Sequence, residues 1–107
     1  MQRGQTMQNI RFPFTVTLAG DSIWEYEGPS TVTVTGIDLF YVDDDYNEVE
    51  ADAEGARLLD VHVTHDANWR IYTDSGFEEA ISAVLGVDVA FTEQGMQEDG
   101  VASLEEV

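Results

Sequence analysis

The stretch from Trp69 to Gly86, WRIYTDSGFEEAISAVLG, holds the one segment with a full set of helix signals. Ser75 and Glu78 stand in S-x-x-E spacing, the pattern of a capping box. Glu78 and Glu79 fall in the first turn, where carboxylates suit the positive end of the helix dipole. Phe77, Ala80, Ile81, Val84 and Leu85 follow the i, i+3, i+4, i+7, i+8 pattern of a single apolar stripe. Gly86 is placed to close the helix in a left-handed conformation. The spacing therefore predicts one amphipathic helix over 76–85. A helix this short is marginal alone. Its stripe must be covered, and the rest of the chain offers strands to cover it.

Alternation of apolar and polar residues predicts about six strands. Ile10–Leu18 is the first, and Pro13, which cannot donate to a ladder, places it at an edge or a bulge. Ile23–Glu27 is the second, with Trp24 and Tyr26 on one face and Glu25 and Glu27 on the other. Thr31–Val42 is the longest. Its apolar phase moves from Val32 and Val34 to Ile37, Leu39 and Tyr41 across Gly36, as a bulge would allow. Without that shift Asp38 would point inward as an unpaired charge. Leu59–Thr64, Trp69–Thr73 and Val87–Thr92 complete the set. The expected fold is α+β: a curled, mainly antiparallel sheet with the helix on its apolar face and threonines and carboxylates on the other. Residues 1–107 read as a single domain, with loose ends at about 1–8 and 94–107.

Charge is the second constraint. The chain carries 22 Asp and Glu against 4 Arg, no Lys, and a net charge of −18. A hydrophobic fraction of 43% separates it from an acidic disordered tail. Such a chain is repelled by nucleic acid and anionic membranes and drawn to basic surfaces, which nucleic-acid-binding proteins commonly own. With no Cys there is no disulfide and no thiolate metal site. There is no long apolar run for a spanning helix, and MQRGQTMQNIRF lacks the apolar core of a signal peptide. The expectation is a cytoplasmic protein.

Seven of the twelve residues Asp43–Glu54 are acidic: Asp43, Asp44, Asp45, Glu48, Glu50, Asp52 and Glu54. The last four recur at every second position. If the segment is extended, their carboxylates project from one side at about 6.6–6.8 Å intervals, similar in scale to phosphates along a nucleic-acid strand. Lys and Arg arrayed to grip phosphates could grip these instead. Glu25 and Glu27 repeat the spacing. A helical segment would dissolve the array and keep the charge density. Tyr46 is the aromatic expected at the surface; the others are read mainly as core.

Two blander readings compete. Acidic runs are commonly solvated loops, and a whole chain adapted to high salt also becomes acid-rich and lysine-poor. Asp43, Asp45, Asn47 and Glu54 occupy positions 1, 3, 5 and 12 of an EF-hand-like loop, but position 6 is Glu48 where glycine belongs, so no specific metal site is expected. His62 and His65, three apart on a strand, face opposite ways, and read as a surface and a turn histidine. No nucleophile elbow, phosphate-cradling glycine loop or cysteine nucleophile is present. No catalytic residue and no cofactor are expected.

Small size, high negative charge, a compact fold and the lack of a catalytic motif resemble the DNA-mimic proteins of bacteriophages, a class that includes anti-restriction and anti-CRISPR inhibitors. The resemblance lies in size and charge; the best-known anti-restriction mimic is helical, where this chain reads as sheet. It implies stoichiometric inhibition of a host nucleic-acid-binding complex with a basic channel, and no direct binding of nucleic acid. Asp43, Asp44, Asp45, Glu48, Glu50, Asp52 and Glu54 would then substitute for phosphates, supported by Glu25 and Glu27, with Tyr46 as an exposed aromatic at the partner-binding surface. The alternatives are an acidic accessory protein that grips a host enzyme through an aromatic or strand-edge interface, and a salt-adapted domain.

Overall fold

A computed structural model describes residues 10–20, 30–67, 71–93 and 99–107. Among the described residues six strands and one helix occur in the order β1 (Phe14–Thr17), β2 (Thr31–Val42), β3 (Glu48–Val49), β4 (Arg57–His65), α1 (Ser75–Leu85), β5 (Val89–Phe91) and β6 (Val101–Glu106). The sheet order is β1-β2-β4-β6-β5, with β3 paired to the far end of β2. All of these pairings are antiparallel. The fold is α+β, a curled antiparallel sheet with, among the described residues, one helix.

The phase of β2 changes just before Gly36. Val34 faces His65 and Gly36 faces Thr64, so Thr35 is the extra residue of a bulge. Its hydroxyl donates to the Thr64 carbonyl at 3.3 Å. Beyond the bulge Ile37 is buried and Asp38 exposed. A second shift lies between Phe40, opposite Asp60, and Tyr41, opposite Leu58, which makes Leu59 the extra residue on β4. The inner face contributes Val16, Val32, Val34, Val61, Val63 and Leu104 to the core, and the helix adds Phe77, Ile81 and Leu85. Ala80 and Val84 are half-buried at its margin. Each large apolar side chain contributes roughly 1.5–3 kcal/mol on burial.

The helix α1 reaches both β1 and β5, the two ends of the strand order. Leu18 donates to Ser30 on the β2 side, so the N–H of Ala19 points outward. Asp74 receives it on Oδ1 at 3.0 Å and takes Gly20 N–H on Oδ2 at 2.8 Å. At the opposite edge, the N–H groups of Val89 and Phe91 point away from β6. Ser82 Oγ accepts the first at 3.0 Å and Glu78 Oε2 the second at 2.9 Å. Positions i and i+4 of a helix rise by about 6 Å, close to the roughly 6.8 Å between alternate strand residues, so the two rows match. Both edges are thereby shielded from strand addition at these points.

The structure corrects four local expectations. The N-cap is Asp74, not Ser75: Asp74 Oδ1 also accepts Phe77 N–H at 3.0 Å. Counted from that cap the third helical residue is Phe77, and Glu78 Oε2 accepts from Phe91 N–H on β5. Residues 71–73 form a turn rather than a strand, with Asp74 N–H donating to Ile71 O at 3.0 Å. The tail expected to be loose supplies β6, which lies between β4 and β5 with Ala102, Ser103 and Leu104 buried. The expectation of a left-handed Gly86 cap holds, at φ 77°, and β1 stands at the end of the order of described strands. The expected strand Ile23–Glu27, with Glu25 and Glu27, lies outside the described residues, as do residues 1–8 and Trp69.

Candidate interaction surface

The acidic segment is a compact hairpin, not a continuous extended strand. Tyr46 N–H donates to Asp43 O, and Asp43 N–H to Asn47 O, both at 3.0 Å. Asp43 Oδ1 accepts the N–H groups of Asp45 and Asn47 at 2.9 and 3.0 Å. These bonds, chiefly that from Asn47, hold the Asp43 carboxyl below its ordinary pKa against the opposing effect of desolvation. β3 then runs back along β2, with Glu48 opposite Val42. Ala53 N–H donates to Glu50 O and Ala56 N–H to Ala53 O. These turns end the every-second-residue spacing after Glu50, so Asp52 and Glu54 leave the line that an extended chain would give.

What survives is density and order. Asp44, Asp45, Glu48, Glu50, Asp52 and Glu54 are exposed, and Asp43 is half-buried. Tyr46 sits among them with 66% of its surface exposed and φ 63°. That left-handed position follows a turn and is one glycine usually takes. The guanidinium of Arg57, at the start of β4, lies 5.0 Å from the Tyr46 ring centroid. Tyr46, and more weakly Asp44, raise the Arg57 pKa above its already high value.

The outer face carries the carboxylates and threonines the alternation predicts, though Asp38 and Asp60 are not among the expected site residues. Asp38 is opposite His62, and Phe40 opposite Asp60. The Phe40 and His62 rings lie 4.8 Å apart. The alternation that turns Asp38 and Asp60 outward was the available signal. The same outer face carries the pairs Thr15–Thr33 and Thr17–Thr31.

His65 is not a surface turn residue. It ends β4 with 5% of its surface exposed. Its Nδ1 accepts Ala67 N–H at 3.2 Å, Nε2 has no hydrogen-bond partner among the described residues, and the ring stands edge-on to Phe77. Burial lowers its pKa, with Asp66 and Asp99 acting in the opposite direction. Among the described residues no group of three or more His, Asp or Glu is placed to hold a metal ion. No helix there is long and apolar enough to cross a membrane.

Below the hairpin, at the end of the sheet where α1 terminates, an open cleft of about 850 Å³ lies between the starts and ends of four segments. Leu39, Leu58, Leu59, Leu85 and Val87 line it, with Arg57 and Glu106 among its polar groups. Comparison with protein-family models, curated proteins and solved structures finds no match.

Proposed function

We propose that this chain is a non-catalytic, acidic DNA-mimic inhibitor. It occupies the nucleic-acid-binding surface of a bacterial defence complex, of the anti-CRISPR or anti-restriction kind, in the cytoplasm of the infected cell. The observation that carries the reading is the hairpin from Asp43 to Glu54, with six exposed carboxylates on a loop pinned by its own backbone hydrogen bonds. Basic channels bind phosphates largely through charge and counterion release. A carboxylate cluster already held in place loses less ordering entropy on binding than a disordered acidic tail. Asp38 and Asp60 on the outer face widen the surface available to a basic groove.

A second reading draws on Tyr46. An exposed aromatic in a left-handed conformation is suited to anchor an ordinary protein interface, with charge only steering the encounter. The test for both is capture from bacterial lysates, with the tagged chain as bait and with and without nuclease. One nucleic-acid-binding complex, kept after nuclease and released by added DNA or RNA, is the expected result. A partner that nucleic acid cannot displace transfers the reading to the aromatic interface. A spread of basic proteins lost at moderate salt reduces the charge to salt adaptation.

A further inference from the structure

We infer that the cleft beneath the hairpin docks a cationic amphipathic segment of a partner protein. The inference rests on the proposed reading only in taking the partner to be basic. It adds a second contact that charge mimicry alone does not require.

The floor is apolar: Leu39, Leu58 and Leu85 line it, and Leu59 and Val87, 39% and 37% exposed, stand at its surface. Clefts of this size with an apolar lining and a few polar groups are the usual form of a binding site. The surroundings select the occupant. Glu106 is on one wall, and the acidic hairpin rises from the β2 and β4 ends that form another. A shallower groove shares Gly86, Val87 and Val107 with the cleft and continues it past Glu78, Glu79 and Asp88. The last turn of α1 has no basic residue, so the negative end of its dipole, at Gly86, is left for a cation from outside. Among the described lining residues Arg57 is the one cation, and its guanidinium is already placed over Tyr46. A second copy of the chain, an anionic membrane or a nucleic acid would each meet a net charge of −18. A segment with apolar residues on one face and Lys or Arg on the other meets both the floor and the rim, in the helix-in-groove mode.

The test uses two synthetic peptides of about 18 residues, roughly 27 Å of helix. One places Leu on one face and Lys on the other; the second keeps every Lys and replaces Leu with Ser. Each is titrated into the isotope-labelled full chain at near-physiological salt and followed by amide chemical shifts. The Leu–Lys peptide should bind at least about tenfold tighter, equivalent to about 1.4 kcal/mol, and perturb Leu39, Leu58, Leu59 and Val87. The double variant Leu59→Arg/Val87→Arg, both at exposed positions, should lose that preference while its melting curve stays close to wild type. Equal affinity for the two peptides, or an unaffected double variant, overturns the proposal. The two readings fail separately. Capture of a DNA-displaceable complex by wild type and double variant alike would leave mimicry standing and remove the cleft. Leu–Lys binding kept by a hairpin variant (Glu48→Gln, Glu50→Gln, Asp52→Asn, Glu54→Gln) but lost by the double variant would support the cleft even where no such complex is captured.

Discussion

Asp74 Oδ2 accepts the backbone N–H of Gly20 at 2.8 Å, joining residues 54 positions apart. The other oxygen of the same buried carboxylate takes Ala19 N–H and the helix N-terminal Phe77 N–H. A helix cap is thus also the latch between α1 and the end of β1. An ordinary cap contributes about 0.5–2 kcal/mol, and the two further hydrogen bonds, from the exposed residues Ala19 and Gly20, add about 0.5–1.5 kcal/mol each. Asp74→Ala should therefore destabilise the chain by about 2–4 kcal/mol in urea unfolding. Asp74→Asn, which keeps one acceptor oxygen, should cost less. A loss below about 1 kcal/mol for alanine would reduce the residue to a surface cap.

Gly76 sits against this latch. A Cβ there would lie 2.6 Å from Ala19 N and 2.9 Å from Thr17 O, both backbone atoms. Alanine gains up to about 1 kcal/mol of helix propensity, whereas forced overpacking costs about 1–3 kcal/mol. Since neither neighbour can rotate away, the clash wins. Gly76→Ala should lower the melting temperature; an increase would mean the helix N-terminus shifts freely from β1.

The far edge can be read one amide at a time. Ser82→Ala should speed hydrogen exchange at Val89, and Glu78→Ala at Phe91, with little change at the β4–β6 pairs. Glu78→Gln keeps an acceptor and should protect Phe91 nearly as well. Uniform acceleration across the sheet would show that these bonds support global stability rather than the edge. Selective exposure of β5 should also raise the tendency to self-associate through that edge.

His65 gives a pH signature. Burial lowers its folded pKa below 6.5, so the unfolded chain binds more protons in that interval. The resulting stability is complete above the unfolded value, near 6.5, and is lost as pH falls through that value towards the folded pKa, below which the contribution stays constant. Protonation of the many carboxylates relieves repulsion at still lower pH and complicates the absolute curve. The difference between wild type and His65→Phe across pH 5–8, from urea unfolding, isolates the histidine. Wild type should gain on the variant as pH rises to about 6.5 and then run parallel to it. A flat difference would place the ring in contact with water.

The parts of the fold legible in the sequence are those set by neighbours in the chain. The stripe from Phe77 to Leu85, the Gly86 cap and the phase change at Gly36 each depend on a few adjacent residues. Ser75 and Asp74 are both competent caps, and the choice between them is made by Ala19 and Gly20, about 55 residues away. β6 escaped because Ala102, Ser103 and Leu104 are all buried; a strand covered on both faces shows no alternation. Acidity of the candidate surface was plain from composition. Its shape was set by the Asp43 turn and by Gly55, at φ 78°, which fold back a segment whose spacing alone suggested extension. The cleft joins segments brought together only by the sheet and helix, and no local pattern announces it.

Tyr46 and the hairpin carboxylates can be separated by variants that leave the fold alone. Tyr46→Gly removes a side chain from a left-handed position, a relief of about 1 kcal/mol. It also removes the contact with Arg57, worth about 0.5–1 kcal/mol at an exposed site. The two nearly cancel, so stability should change little, and any change in binding reports on the interface. Neutralising Glu48, Glu50, Asp52 and Glu54 as Gln or Asn removes four exposed charges and should likewise preserve the melting curve. For a mimic, the neutralised variant should lose capture of its nucleic-acid-binding target, and wild-type affinity should fall steeply with salt. Tyr46→Gly should then weaken binding only modestly. The opposite pattern, with neutralisation tolerated and Tyr46→Gly abolishing capture, would sink the phosphate-substitute role of the hairpin and make the tyrosine its anchor.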